Sequence, residues 1–199
     1  MSERASFGSV RYVDRFLRMN CAADYLAAGV LPGSRAAKEM SESMGALVAV
    51  QRILGPQEWG KENVCIIVGD GSTPRTGVMA ALLTKWWCVS VDPRIDGPRA
   101  GIRRLNTIRA KVEDVKDITW RTVIPGGDWH NTIILGVHSH APALDTWKSV
   151  PQWGKHRLFV NIPCCVRNPN PDKRLLIESY EDEHILSPHC RVDIWGIQG

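Results

Sequence analysis

A glycine-rich loop that directly follows a short apolar run constrains this 199-residue chain more than any other feature. The run VCIIV (64–68) leads into GDGSTPRTG, where small polar residues separate Gly69, Gly71 and Gly77. A strand, a glycine loop and a helix in this order bring backbone N–H groups to the carboxyl edge of a parallel sheet. Glycine there lets a ligand approach the main chain closely, although a tight strand-to-helix turn also explains it.

The pattern after residue 60 predicts an α/β fold. Short runs rich in β-branched residues alternate with longer polar or amphipathic stretches, as in βα units. The runs expected to be parallel strands are 64–68, 88–92, 107–112, 131–137 and 157–162. Two last runs, 173–180 and 190–197, flank a polar turn and predict an antiparallel hairpin at one edge of the sheet.

The residues before this region predict helices over 9–28 and 34–54. Apolar residues recur at helical intervals in the second of these, Ser34 is a suitable N-cap, and Gly55-Pro56 ends it. We therefore divide the chain into an N-terminal helical extension, residues 1–59, and an α/β domain, residues 60–199.

Composition and charge leave the class of protein broad. The chain is 44% apolar and 23% charged, which is ordinary for a soluble domain. Its net charge of +4 is compatible with a polyanionic partner without requiring one. Neither a membrane span nor a signal peptide is recognisable, so we expect an intracellular, cytoplasmic protein with reduced cysteines and no membrane partner.

The residues around the glycine loop favour an adenosine ligand without a polyphosphate. The loop lacks G-K-[ST], and Gly77 comes too late for the dinucleotide pattern G-x-G-x-x-G. Asp92 ends the second strand about 20 residues later, where an acid binds a ribose diol. Glu113 and Asp114 follow the third strand, where a carboxylate can accept a bond from an adenine amino group. A turn role for Asp92 and a solvated loop for the other two acids are the alternatives.

These motifs, in this order, resemble those of the Rossmann-like S-adenosylmethionine-dependent methyltransferases. VGDGSTPRTG is similar to their glycine-rich loop, VSVDP to their second-strand acid and VED to their third-strand acid. LGVHSHAPAL and VNIPCCV are similar to the LHACGxL and PCCH motifs of a branch that includes a tRNA ribose 2′-O-methyltransferase. The resemblance covers residues 60–197 and implies a Rossmann-like three-layer sandwich with a seven-stranded sheet and S-adenosylmethionine as cofactor. The cofactor-binding residues that it implies are Gly69, Asp70, Gly71, Ser72, Gly77, Asp92, Pro93, Glu113 and Asp114.

Two histidines are candidates for a general base. His138 and His140 lie near the end of the fourth strand and share one side if the chain is extended. Substrate meets cofactor at that edge in such folds, so either imidazole can accept a proton there. The alternative is a packed histidine that is hydrogen-bonded to a backbone carbonyl.

Cys164 and Cys165 end the fifth strand, and three interpretations remain open. They can be small buried thiols, or one can be a nucleophile that adds to a pyrimidine ring before methylation. In the third interpretation, the two cysteines bind zinc together with His189 and Cys190, although adjacent cysteines are poorly placed to ligate one metal ion.

The predicted function is methyl transfer from S-adenosylmethionine, with RNA as the preferred substrate. The basic residues that suit phosphate contacts, unless they form a solvated helix face, are Arg94, Arg99, Arg103, Arg104, Arg109 and Lys111. Ile67 stands where the family usually has an acid that meets the methionine amino group, and Asp70 is a candidate replacement. A non-catalytic module that docks RNA or a protein partner therefore stays open, as does, more weakly, a nicotinamide-dependent oxidoreductase.

Overall fold

The computed structural model describes residues 11–97, 99–164 and 170–198, so the predicted site residue Cys165 lies outside it. Its strands are β1 Val64–Val68, β2 Trp87–Val91, β3 Leu105–Ile108, β4 Asn131–Val137, β5 His156–Ile162, β6 Leu176–Glu181 and β7 Arg191–Gln198. Its α-helices are α1 Arg11–Leu17, α2 Ala22–Ala27, α3 Ala36–Leu54, α4 Arg75–Leu83, α5 Asp117–Val123 and α6 Ala143–Ser149. Short 3-10 helices span Pro56–Gly60, Val112–Asp114 and Lys173–Leu175.

The strands form one sheet in the order β3-β2-β1-β4-β5-β7-β6. Strands β1 to β5 pair in parallel, and β7 is antiparallel to both β5 and β6. All five residues of β1 are buried, as expected for a central strand that is covered on both faces. The predicted Rossmann-like α/β sandwich with a C-terminal antiparallel hairpin is confirmed.

Two apolar clusters cover the two faces of the sheet. Helices α1 to α4 pack on one face, where Met44 and Leu47 of α3 meet Ile67 of β1. Helices α5 and α6 cover the other face through Trp120 and Trp147. Because α3 contributes many buried residues to the first cluster, it forms part of the helical layer on that face of the sheet.

The N-terminal helical region differs in detail from the prediction of one helix over 9–28. The described part of that region contains two short helices, α1 and α2, with a turn at 18–21. Phe16 and Tyr25 are both fully buried and stack edge to face, with ring centroids 5.0 Å apart. A single straight helix would keep these rings farther apart, so tertiary packing selects the break.

Two of the predicted strands also differ from the structure by more than one residue at an end. The third strand ends at Ile108, before the predicted limit, because Val112–Asp114 forms a 3-10 helix. β6 begins at Leu176 since the Asp172 carboxylate accepts a hydrogen bond from Arg174 N and caps the preceding turn. In the described part of the chain, no helix combines the length and hydropathy needed to cross a bilayer.

Candidate functional site

The loop between β1 and α4 turns sharply at the carboxyl edge of the sheet. Gly69 and Gly71 have φ values of +71° and +77°, in the left-handed region that favours glycine. The N–H of Gly69 donates to the carbonyl of Val91 at 2.8 Å, so the loop begins against the end of β2. A Cβ at Gly69 would come 2.1 Å from Ser139 Oγ, which shows how closely the loop after β4 approaches.

Asp70 fixes this loop from inside the protein. Its carboxylate accepts hydrogen bonds from Thr76 N at 3.0 Å, Gly77 N at 2.9 Å and Ser90 Oγ at 2.7 Å. Burial raises the pKa of Asp70 to about 6, although these three bonds favour the charged form. The two backbone donors belong to the first turn of α4, so Asp70 acts as the cap of that helix.

Gly77 and Ser72 also have structural roles in this region. A Cβ at Gly77 would lie 2.1 Å from Ser90 Oγ and 3.0 Å from Leu105 Cδ1, so α4 packs directly on the sheet there. Ser72 is exposed, and its carbonyl accepts a bond from Asp96 N at 2.9 Å. These contacts tie the glycine loop to the segment that follows β2.

Asp92 is the acid that the structure presents at the end of β2. Its Oδ2 accepts from Gly71 N at 3.0 Å, and its Oδ1 accepts from Arg94 N at 2.8 Å. The residue is only 4% exposed. The two hydrogen bonds hold the acid in a fixed position relative to the glycine loop. A carboxylate has about four lone-pair sites, so each oxygen can still accept a bond from a ligand.

A cavity of about 430 Å³ lies directly against Asp92. Its size is within the roughly 300–1,000 Å³ of small-molecule sites. Its lining residues are Val68, Gly69, Val91, Asp92, Pro93, Arg94, Ala110, Lys111, Val112, Glu113, His138, His140, Ala141 and Pro142. The predicted residues that line it are Gly69, Asp92, Pro93, Glu113, His138 and His140. Asp70, Gly71, Ser72, Gly77 and Asp114 do not line it, and Asp114 is exposed.

His138 and His140 reach this cavity in a different way from that expected of an extended segment. His138 has a φ of +48°, so the chain turns directly after β4. Its N–H donates to the carbonyl of Ile162 at 2.9 Å, which holds the turn against the end of β5. His140, at the end of the same turn, is exposed.

Glu42 of α3 stands behind His138 and was missed by the sequence analysis. Its Oε1 lies 2.8 Å from His138 Nε2 and 2.5 Å from Lys38 Nζ. Burial opposes ionisation of this carboxyl, but the contacts with His138 and Lys38 outweigh it and hold its pKa below the usual value. No motif marked Glu42, since an acid in an amphipathic helix normally faces solvent.

A second cavity, of about 460 Å³, adjoins the first, and Ala141 lines both. Its polar lining includes Asn161, Cys164, Glu181, His189, Cys190, Arg191 and Asp193. The Cys190 thiol donates to Glu181 Oε2 at 3.1 Å, and burial together with this carboxylate raises the pKa of the thiol. Within the described ranges, no three His, Cys, Asp or Glu side chains are grouped as a metal site, and the proposed fourth ligand Cys165 is outside them.

The predicted basic residues surround the first cavity unevenly. Arg94 and Lys111 line it, and Arg103 and Arg109 are exposed nearby in sequence. The Nε of Arg99 is buried with no hydrogen-bond partner among the described residues. Two of these cations are therefore at the mouth of the cavity.

The fold and the site together define a Rossmann-like α/β protein with adjoining cavities at the carboxyl edge of its sheet. No family model matches the chain, and no curated protein sequence matches it. Among solved structures, MtNAS in complex with MTA and tNA is 10% identical over 96% of this chain and 70% of the other, with a TM-score of 0.49. Magnesium protoporphyrin IX methyltransferase from Synechocystis PCC 6803 with bound SAH is 9% identical over 92% and 96%, with a TM-score of 0.46. A SAM-dependent methyltransferase from Leishmania major is 13% identical over 87% and 81%, with a TM-score of 0.49. At these identities the likeness concerns the fold alone.

Proposed function

We propose that this protein is an S-adenosylmethionine-dependent methyltransferase. The observation that carries the proposal is the carboxylate of Asp92, held by the N–H groups of Gly71 and Arg94 at the edge of a small-molecule cavity. An acid at the end of the second strand is the group that binds a ribose diol in Rossmann-like folds. The glycine loop lacks the phosphate-binding G-K-[ST] motif, which favours an adenosine without a polyphosphate.

The walls of the cavity suit the two parts of an adenosine. Val91, Ala110 and Val112 offer apolar surface for a flat base, and Glu113 is at the rim where a carboxylate can accept from an amino group. Gly69 lines the cavity, so a ligand can approach the main chain closely there. The residues present therefore fit an adenosyl group.

The amino-acid end of the cofactor would lie toward Gly69 and His138. Ile67, which occupies the position of the usual acid, is fully buried in the apolar cluster with α3 and cannot contact a ligand. Asp70 is turned toward the N-terminus of α4. Binding at this end would rest on the backbone of Gly69 and on the imidazole of His138.

The second cavity would hold the acceptor. Bound S-adenosylmethionine supplies an electrophilic methyl group, and Ala141, which lines both cavities, marks where the two reactants would meet. The chain would position the reactants and exclude water. His138 compensates the charge of Glu42, so His140 is the histidine that would accept a proton from a hydroxyl or amine acceptor; it lies between Ser139 and Ala141, which both line the second cavity.

RNA is the acceptor class that we propose. Arg94 and Lys111 line the cofactor cavity, and Arg103 and Arg109 are exposed, as phosphate contacts require.

A second candidate is a binding module without methyl transfer. It is favoured by the burial of Ile67, because the family's usual partner for the methionine amino group is then missing. Such a module would retain the cofactor cavity but would not catalyse methyl transfer.

Calorimetric titration with S-adenosylmethionine tests the cofactor site. Wild type should bind, Asp92→Ala should bind at least about tenfold more weakly, or about 1.4 kcal/mol, and Asp114→Ala should bind as wild type does. Asp114 is the matched control because it is an exposed acid that does not line the cavity. Thermal unfolding of each variant verifies that it folds. Wild type that does not bind at about 1 mM ligand would refute the proposal for the isolated protein.

Transfer of a labelled methyl group from S-adenosylmethionine to cellular RNA tests the reaction. Label in RNA that is lost in Asp92→Ala supports the enzyme. Cofactor binding without label in RNA or protein supports the non-catalytic module, and label in protein alone overturns RNA as the substrate.

A further inference from the structure

A third cavity lies at the amino-terminal end of the parallel strands, opposite the candidate site. We call it the basal cavity. Its volume is about 370 Å³, again in the roughly 300–1,000 Å³ range of small-molecule sites. It lies where β4 and β5 begin and β7 ends, beside the last turn of α3. It shares no lining residue with the two cavities described above, so a ligand there is independent of the proposed methyl transfer.

One wall of this basal cavity is apolar. Ile53 and Leu54 come from α3, Leu158 from β5 and Ile177 from β6. Ile177 is 46% exposed, although isoleucine is among the residues most often buried. Its position is fixed, because its Cδ1 lies over Gly196, where an added Cβ would come within 2.6 Å of it. A ligand with an apolar body would remove this surface from water.

The acid that lines the basal cavity is already neutralised. Glu58 is 2% exposed, and its Oε1 lies 2.5 Å from Lys61 Nζ. Its Oε2 accepts hydrogen bonds from Asn63 at 3.1 Å and Asn131 at 2.9 Å. The charges of Glu58 and Lys61 therefore cancel, and the other groups set the net charge of the cavity.

The remaining polar groups of the basal cavity are basic. Lys155 and His130 are exposed at its rim, and His156 Nδ1 is buried with no hydrogen-bond partner among the described residues. Arg157 contributes only its main chain, because side chains alternate along β5 and its guanidinium stacks on Trp147 on the other face, 4.1 Å from the ring centroid. A buried imidazole nitrogen without a partner is costly, and an anionic oxygen would satisfy it.

We propose that the basal cavity binds a small amphipathic carboxylate. Its apolar chain would pack against Ile53, Leu54 and Ile177, and its carboxylate would be held by Lys155 and His156. Charge complementarity selects an anion, and the exposed Ile177 selects an apolar body.

Calorimetry with octanoate, and with 1-octanol as the uncharged analogue, tests this site. Wild type should bind octanoate and bind octanol at least about tenfold more weakly, since only the acid can pair with both Lys155 and His156. Ile177→Asp should abolish octanoate binding. Lys155→Gln should weaken it about two- to fivefold, the effect of one exposed ion pair.

Leu176→Asp is the matched control. Leu176 is adjacent to Ile177 and 38% exposed, but it does not line the cavity, so this variant should retain wild-type affinity. Lys155→Gln changes an exposed side chain, so it keeps the test available if Ile177→Asp does not fold. No octanoate binding up to about 10 mM, equal binding of octanol, or equal losses in Leu176→Asp and Ile177→Asp would each overturn the proposal.

Discussion

Glu42 Oε1 lies 2.8 Å from His138 Nε2, and this contact joins α3 to the turn after β4 beside the first cavity. Glu42 is 1% exposed, so its charge is compensated inside the protein by His138 and Lys38. Helix α3 therefore supports from behind a residue that lines the candidate site.

Replacing Glu42 with glutamine should destabilise the protein at neutral pH. The change removes a buried charge from its two partners, and we expect the free energy of unfolding to fall by about 1–3 kcal/mol. The folded state lowers the pKa of Glu42, so this stabilisation is present above the ordinary value of 4.5 and is lost as the pH falls below it. Urea unfolding at pH 7, 5 and 4 measures the difference. Glu62→Gln, at an exposed position, should change little at any of these pH values, and a Glu42→Gln deficit that grows on acidification would contradict the assignment.

Asp70→Asn should change how stability depends on pH. Burial raises the pKa of Asp70 from 3.8 to about 6, so the folded state retains the proton over this interval and its stability falls as the pH rises through it. Two pKa units correspond to a fall of about 3 kcal/mol in the free energy of unfolding of the wild type. The Asp70→Asn variant should not show this fall over the same pH interval. Urea unfolding between pH 4 and pH 7 gives both curves. Asp96→Asn, an exposed control, should retain the wild-type slope, and a parallel slope in Asp70→Asn would refute the assignment.

Gly77→Ala should destabilise the junction of α4 with the sheet. The new methyl group would meet Ser90 Oγ at 2.1 Å and Leu105 Cδ1 at 3.0 Å, so helix and strand must separate. Overpacking of this kind costs about 1–3 kcal/mol, measurable by thermal or denaturant unfolding. Gly126→Ala is the control, because a Cβ at Gly126 would meet nothing within 4 Å. Equal stability of the two variants would show that α4 does not pack as closely as described.

Tyr12→Phe should loosen α1 from the hairpin turn. The Tyr12 hydroxyl donates to Asp182 Oδ2 at 2.6 Å in a buried position, and burial and this carboxylate raise the pKa of the phenol. Loss of this charge-assisted bond should lower the free energy of unfolding by about 1.5–3 kcal/mol in urea unfolding. Tyr180→Phe is a suitable control because its ring keeps the contact with Arg52, 4.6 Å from the guanidinium carbon. A Tyr12→Phe protein as stable as that control would argue against the anchoring role.

The order and spacing of the apolar runs were enough to predict the layout of the sheet. The runs 64–68 and 131–137 have the same limits in the structure as in the pattern, because a strand that is covered on both faces is mostly apolar. The final hairpin was equally predictable, since a polar turn separates its two runs. The spacing of Gly69 and Asp92 also predicted that loop and acid would meet, as parallel strands end at one edge.

The direction in which the acids point, and the distant residues that join the site, depend on how the elements pack together. Asp70 and Asp92 are both acids beside the glycine loop, yet one caps α4 and the other lines the cavity, because α4 packs on the sheet through Gly77. Glu42 enters the site from α3, nearly a hundred residues before His138, and no local pattern encodes a contact over such a separation. Strand periodicity is a local property of the chain, whereas the partner of a buried charge is set by the packing of whole elements.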